Sequence, residues 1–187
     1  MRIIAGTARG RRIEAPPGLD TRPTLDRVRE NLFNMLQLRV RDTRVLDLFA
    51  GSGALSLEAL SRGASFAVLA DRDRAALQTE KKNIEALRFQ DRTRILPGEW
   101  KRATATLKAE GERFDLVFLD PPYAMTDLRE VTGELLGLLS DGALIVIEHE
   151  AKAETAVSDE LELVNERSWG YCGVRFYERK KAESGEA

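Results

Sequence analysis

Asp120, Pro121, Pro122 and Tyr123 place a carboxylate, a donor-free backbone and a flat aromatic face in four consecutive positions. That set suits an exocyclic amine on a planar ring. The amine of adenine, cytosine or guanine is a weak nucleophile because its lone pair is delocalised into the ring. Two acceptors on its N–H groups favour pyramidalisation and free the pair. Asp120 supplies a carboxylate and Pro121 a backbone carbonyl. The two prolines fix φ, remove two donors and bias residues 120 and 121 toward extended backbone, so the acceptors are preorganised. Tyr123 offers a stacking surface. The plainer reading is a proline-stiffened turn with a surface tyrosine. Against it stands the apolar run Phe114 to Leu119, which predicts a buried strand with the loop at its carboxyl end, where open α/β sheets keep their sites.

A second group of residues lies in Val45 to Leu60, which reads as strand, glycine turn and helix. Gly51 and Gly53 permit a tight turn and close approach of a ligand, and the helix from about Ala54 presents unpaired N–H groups. Any nucleotide-binding α/β unit could use these features, so two details matter. Ser56 stands where a dinucleotide fingerprint wants its third small residue, so the match to that fingerprint is imperfect. Asp47, inside the strand end, would repel a pyrophosphate but suits a cationic amino-acid group such as the aminoacyl part of S-adenosylmethionine. Asp71 follows the glycine turn by about 20 residues, at the end of the short run Phe66 to Ala70, where an acid accepts from ribose hydroxyls. Asp71 is therefore assigned to a ribose, and Asp73 to the N-cap of a helix from Arg74.

With these residues the chain resembles the class I, Rossmann-like S-adenosylmethionine-dependent methyltransferases, and within them the RsmD family of bacterial 16S rRNA guanine-N2 methyltransferases. The likeness covers nearly the whole chain. It rests on Arg22-Pro-Thr-Leu-Asp-Arg-Val-Arg-Glu-Asn-Leu-Phe-Asn-Met-Leu36, on Asp47 to Leu55 with Glu58 to Ala64, and on Phe114 to Tyr123. The first segment is the most family-specific. The resemblance implies a mostly parallel twisted sheet with a terminal antiparallel strand pair, preceded by an N-terminal β-hairpin. It also implies a cofactor site at Asp47, Phe49, Gly51, Gly53, Asp71, Thr24 and Glu99, and a catalytic loop at Asp120, Pro121, Pro122 and Tyr123. The Arg22 to Glu30 segment would fold over the pocket, with Thr24 and Arg27 near it. The implied acceptor is a flipped guanine in 16S rRNA, presented by the small ribosomal subunit or an assembly intermediate. Two departures from the family pattern are Glu99, where relatives carry Asp or a small polar residue near the adenine, and an additional Arg72.

The elements that must hold these residues in place follow from pattern. At 187 residues the chain suits one domain with a substantial core. Strands are expected at Val45–Phe49, Phe66–Ala70, Thr93–Leu96, Phe114–Leu119 and Ala143–Ile147, with helices between them that include Arg74–Leu87 and Leu128–Leu139. Leu161–Glu166 and Val174–Arg179 read as the terminal antiparallel pair, and residues 180–187 as a disordered polar tail. Thr24 is expected to cap a helix with Leu25, Val28, Leu32, Phe33 and Leu36 at helical spacing; Arg27 and Arg29 read otherwise as a solvated face.

Net charge is −2, but residues 1–44 carry ten Arg against five Asp plus Glu, and the remainder 19 basic against 26 acidic residues. The amino-terminal end is the expected RNA-facing part, with Arg9, Arg11 and Arg12 on a small hairpin of residues 1–20 and Arg22 beyond it. A solvated surface is the alternative reading. The single cysteine, Cys172, excludes an internal disulfide framework and reads as an inert thiol in a reducing compartment. The sole histidine, His149, reads as structural, with no metal-ligand spacing around it. No long apolar stretch or leader pattern is present, so a cytoplasmic location, no membrane association and a monomer are expected. Two rival functions remain open: transfer to DNA adenine or a protein glutamine amide, and a non-catalytic ribosome-assembly factor on the same fold.

Overall fold

The computed structural model describes residues 1–17 and 23–181, with backbone alone at 23–25. Arg22 and the expected tail at 182–187 therefore lie outside the described residues, as does the side chain of Thr24.

Seven strands form one sheet. They are β1 (Arg44–Leu48), β2 (Phe66–Asp71), β3 (Thr93–Pro97), β4 (Phe114–Leu119), β5 (Leu139–Glu150), β6 (Leu161–Trp169) and β7 (Cys172–Arg179), in the order β3-β2-β1-β4-β5-β7-β6. Strands β1 to β5 pair in parallel, while β7 pairs antiparallel with β5 and β6. The strand order reverses between β1 and β4, which makes their carboxyl ends the crevice where ligands of open α/β sheets bind. Near-continuous apolar composition in β1, β2 and β4 has a direct cause: helices cover both faces. Val45, Leu116, Phe118 and Val146 pack on one side with α1 (Pro23–Met35), α2 (Ala54–Ser61) and α3 (Arg74–Leu87). Leu46, Val117, Leu119 and Ile147 pack on the other with α4 (Trp100–Ala109) and α5 (Arg129–Leu135).

The expected doubly covered sheet with its antiparallel end is therefore present. Helix α3 has the expected bounds, and Asp73 caps it by accepting from the Ala75 N–H at 3.2 Å. Several local expectations are corrected. Helix α1 already begins at Pro23, which places Thr24 within the first turn rather than at the cap; proline suits that first position because its missing N–H would have no helical partner. The helix expected over Leu128–Leu139 ends at Leu135 and passes through a 3₁₀ turn, Leu136–Leu138, into β5. Apolar spacing does not distinguish these two kinds of turn. Strand β5 extends beyond Ala143–Ile147 at both ends, because β4 and β7 offer it partners along most of its length.

The expected N-terminal hairpin is present: Arg2 and Arg12 form an antiparallel bridge, and the N–H groups of Ile3, Gly10 and Ile13 donate to the carbonyls of Arg11, Ile3 and Met1 at 2.9, 2.8 and 3.2 Å. Other backbone donors of the segment tie it to α2. Ile4 and Ala5 N–H donate to the Glu58 carboxylate at 2.8 and 3.0 Å, and Ala8 N–H donates to Ser61 Oγ at 2.9 Å. The segment is thus a strap stitched to α2. Gly6 (φ +82°) makes this approach possible, since a Cβ there would lie 1.8 Å from the Ser61 carbonyl oxygen.

Candidate active site

Strand alternation brings three acids to one wall. In the register β1–β4, Asp47 pairs with Phe118, and in β4–β5, Phe118 pairs with Val146. Side chains two residues apart share a face, so Asp47, Asp120 and Glu148 emerge on the face covered by α1 and α2. All three line a cavity of about 240 Å³, closed on the far side by Val28, Arg29 and Leu32 of α1. Asp120 and Glu148 also line an adjoining cavity of about 530 Å³ with Asp71, Glu99, Trp100 and Tyr123. Phe49 and Gly51 border both.

The glycine turn between these cavities is held from three sides. Asp71 Oδ2 accepts from Gly51 N–H at 2.9 Å, Asn83 Nδ2 donates to the Ser52 carbonyl at 2.9 Å, and the N–H groups of Phe49 and Ala50 donate to the Ala70 carbonyl. Phe49 adopts φ +74°, a left-handed conformation that costs a bulky residue about 1–3 kcal/mol and persists only where surroundings enforce it. Gly53 sits at φ +75°, a conformation that favours glycine, and a Cβ there would also press on Leu69 Cδ2 at 2.7 Å.

Electrostatics separate these acids from ordinary surface carboxylates. Asp47 is buried; Ser56 Oγ donates to its Oδ2 at 2.9 Å, while Oδ1 has no partner. Burial raises its pKa to about 7, against the Ser56 hydrogen bonds and with help from the Asp71 charge. Asp120 is open to the cavity yet set in protein on all other sides; desolvation, then the charges of Glu148 and Asp47, hold its carboxyl above the usual range. Burial likewise raises Glu148 and the phenol of Tyr123. Glu80 on α3 is buried with neither oxygen paired, and burial followed by the charges of Asp47 and Asp71 lifts it to about 8.

The other residues singled out from sequence fall in distinct places. Pro121 is buried, while Pro122 and Tyr123 are exposed. Glu99 pairs with Arg72 at 3.1 Å on the rim, which gives the additional arginine a partner. Arg27 is exposed, as are Arg9 and Arg12. Arg11 turns back on the protein, donating to the Ala86 and Leu87 carbonyls at the end of α3. Arg29 does not lie on a solvated face: it is buried, donating to the Arg2 carbonyl at 2.6 Å and to Asp26 at 2.9 Å, with Glu58 at 4.0 Å. His149 is buried; its Nδ1 lies 2.7 Å from the Glu150 carbonyl and its ring fills the space a Cβ on Gly173 would need. Cys172 is also buried, its thiol pKa pushed up by burial and by Glu148. Sequence reasoning did not single out Glu148 or Trp100. The available signal for Glu148 was an acid at the carboxyl end of the last parallel strand, hidden beside the more conspicuous histidine.

The donor set fits S-adenosylmethionine. Asp47 Oδ1 has no partner and could accept from a cationic amino group; the Asp71 oxygens, each already accepting one backbone N–H, keep lone pairs that could accept from ribose hydroxyls; Phe49 and Trp100 offer flat walls. Among the described residues no group of acids, His or Cys is arranged to hold a metal, and no helix is long and apolar enough to cross a membrane.

A sheet of this order, with a glycine turn after β1 and an acid-proline loop after β4, defines the class I methyltransferase fold. The chain belongs to the RsmD family: the family model described as conserved hypothetical protein 95 matches residues 1–178. Ribosomal RNA small subunit methyltransferase D of Escherichia coli (strain K12) is 39% identical over 190 residues, spanning 100% of this chain and 94% of the relative. The protein of the same name from Haemophilus influenzae is 34% identical over 181 residues, spanning 95% and 93%. Among solved structures, a candidate methyltransferase, yhhF, from Escherichia coli superposes with TM-score 0.81 at 41% identity, covering 97% of this chain and 99% of that one.

Proposed function

We propose that the chain transfers a methyl group from S-adenosylmethionine to the exocyclic N2 amine of a specific guanine in 16S rRNA, acting as a monomer on the small ribosomal subunit or its assembly intermediate. The observation that carries this reading is the Asp120–Tyr123 loop at the carboxyl end of β4: Asp120 lines one cavity with Asp47, and the whole loop lines the adjoining cavity with Asp71. The relatives named as small-subunit rRNA methyltransferases, similar along the whole chain, support the acceptor class.

When bound, S-adenosylmethionine supplies a methyl group on a sulfonium, an already activated leaving group, so the protein's task is positioning. Asp47, Phe49, Gly51, Gly53, Asp71 and Glu99 would hold it, with Thr24 at the neighbouring segment. A guanine swung out of its stack lies on Tyr123 while Asp120 and the Pro121 carbonyl accept its N2 hydrogens. That grip draws the nitrogen toward a tetrahedral shape and frees its lone pair. As the new N–C bond forms, one N2 proton becomes acidic and leaves to Asp120 or to solvent. Asp120 acts mainly as an orienting acceptor. The exposed Arg9 and Arg12 are the proposed partners of RNA phosphates; Arg22, expected to join them, lies outside the described residues.

The test is transfer of a labelled methyl group to small subunits from cells lacking this protein, followed by nucleoside analysis. N2-methylguanosine in 16S rRNA is expected. Label in DNA or protein instead would keep the cofactor site and overturn the acceptor; binding without turnover would overturn the enzyme.

A further inference from the structure

The wall that would receive the acceptor base carries a second carboxylate with no assigned role. Leu119 pairs with Ile147, so the next residues, Asp120 and Glu148, leave adjacent parallel strands on one face. Both line both cavities. The influences on Asp120 are burial and two like charges; those on Glu148 are burial and the Cys172 thiol. No cation among the described residues figures in either set. The donors that would stabilise the ionised, accepting forms of these two acids must therefore come from a ligand.

Purine and pyrimidine amines differ in what stands beside them. Guanine presents N1–H next to its N2 amine, a continuous row of donors. Adenine and cytosine each set a bare ring nitrogen, an acceptor, beside the amine. Base-modifying enzymes read a flipped base along this edge.

We propose that Glu148 is the specificity-determining residue: its carboxylate accepts N1–H of the guanine whose N2 hydrogens are held by Asp120 and the Pro121 carbonyl. An adenine or cytosine in the same pose turns a lone pair toward Glu148, which rejects it by repulsion and by leaving a half-buried acceptor unpaired. The inference rests on the guanine-N2 reading above and adds the residue that enforces it.

The test uses reconstituted small subunits whose acceptor position, mapped by nucleoside analysis, carries either guanine or 2-aminopurine. The analogue keeps the 2-amine and loses N1–H together with O6, and the response of Glu148→Gln separates the two losses. Wild-type protein is expected to methylate guanine at least tenfold faster than 2-aminopurine. Glu148→Gln, whose amide nitrogen can donate to bare N1, is expected to shrink that ratio at least tenfold while binding S-adenosylhomocysteine as the wild type does. A wild-type ratio near one overturns the role of Glu148, as does an unchanged ratio in Glu148→Gln or a variant inactive on both bases with its cofactor site intact. No methylation of guanine by the wild type would overturn the guanine reading itself.

Discussion

Glu58 on α2 and Asp120 after β4 are acids whose surroundings are opposite. Glu58, fully buried on α2, accepts from the N–H groups of Ile4 and Ala5 and from Arg62 Nε at 2.7 Å, with the Arg29 guanidinium at 4.0 Å. Its lone pairs are spent inside the fold, where they tie the N-terminal strap to the body. Asp120 has only like charges and low-dielectric surroundings acting on it. Both are carboxylic acids; what differs is whether the chain supplies the donors. An acid saturated by its own backbone is a fastener, and an acid left open at a strand end is a receptor for donors that a ligand must bring.

Exchanging side chains at each place sharpens this contrast. The largest effect is expected at the open acid. Asp120→Ala should lower methyl transfer by about 10²–10³-fold, the scale for removing one preorganised group around a reacting centre. Asp120→Asn, which keeps an acceptor oxygen, should recover much of the rate, and both should melt close to wild type in a thermal scan. An alanine variant with undiminished turnover would remove the loop from the chemistry. At the saturated acid the loss should appear in stability. Glu58→Ala orphans two part-buried N–H groups and leaves the buried Arg29 and largely buried Arg62 without their carboxylate, so urea unfolding should show a loss of about 3–5 kcal/mol. Proteolysis should then cut first within residues 1–17.

The third effect is the pH response of the unsatisfied interior acids. Asp47 rises from 3.8 to about 7 and Glu80 from 4.5 to about 8 in the folded chain. Both values lie above those of the unfolded chain, so folding holds protons that unfolding releases. Their stabilisation is fully present below about pH 4 and is lost as pH rises through 7 to 8. Glu80→Gln should flatten that decline, on the order of a few kcal/mol between pH 5 and 8.5 in urea titrations; parallel declines in both proteins would exclude Glu80 as a source. Binding should also separate from stability at the strap. Arg9→Ala with Arg12→Ala should raise KM for small subunits and reduce the salt slope by about one unit per lost phosphate contact, with stability unchanged. Smallest of all, Arg72→Ala breaks an exposed pair with Glu99 and should shift unfolding by about 0–1 kcal/mol.

Much of the receptor was readable along the chain. The run Phe114–Leu119 marks a buried strand, two prolines mark an extended loop, and Gly51 and Gly53 mark a turn that the structure shows at positive φ. Asp73 is legible as a cap because capping involves only its near neighbours. The N-terminal strap was legible as a basic hairpin, and its cross-strand bonds are present. Its docking was not legible: it depends on Glu58 and Ser61, more than fifty residues away, and no local pattern reports that the remaining N–H groups will reach those side chains. Arg29 was misread for the same reason: a charged residue on an amphipathic helix is ordinarily solvated, and its burial depends on the Arg2 carbonyl and Glu58.

By itself the sequence determined the pieces whose geometry is local: strand and helix periods, the proline-stiffened acceptors, the glycine turn, and the cap of α3. Tertiary structure alone decided that Asp47, Asp120 and Glu148 share one wall. That outcome needs the order β1-β4-β5 and a register in which positions far apart in the chain fall on one face. Dihedral preference and hydrophobic period act over a few residues, whereas strand order and burial come from packing the whole chain at once, so the raised pKa values of that wall belong to the fold.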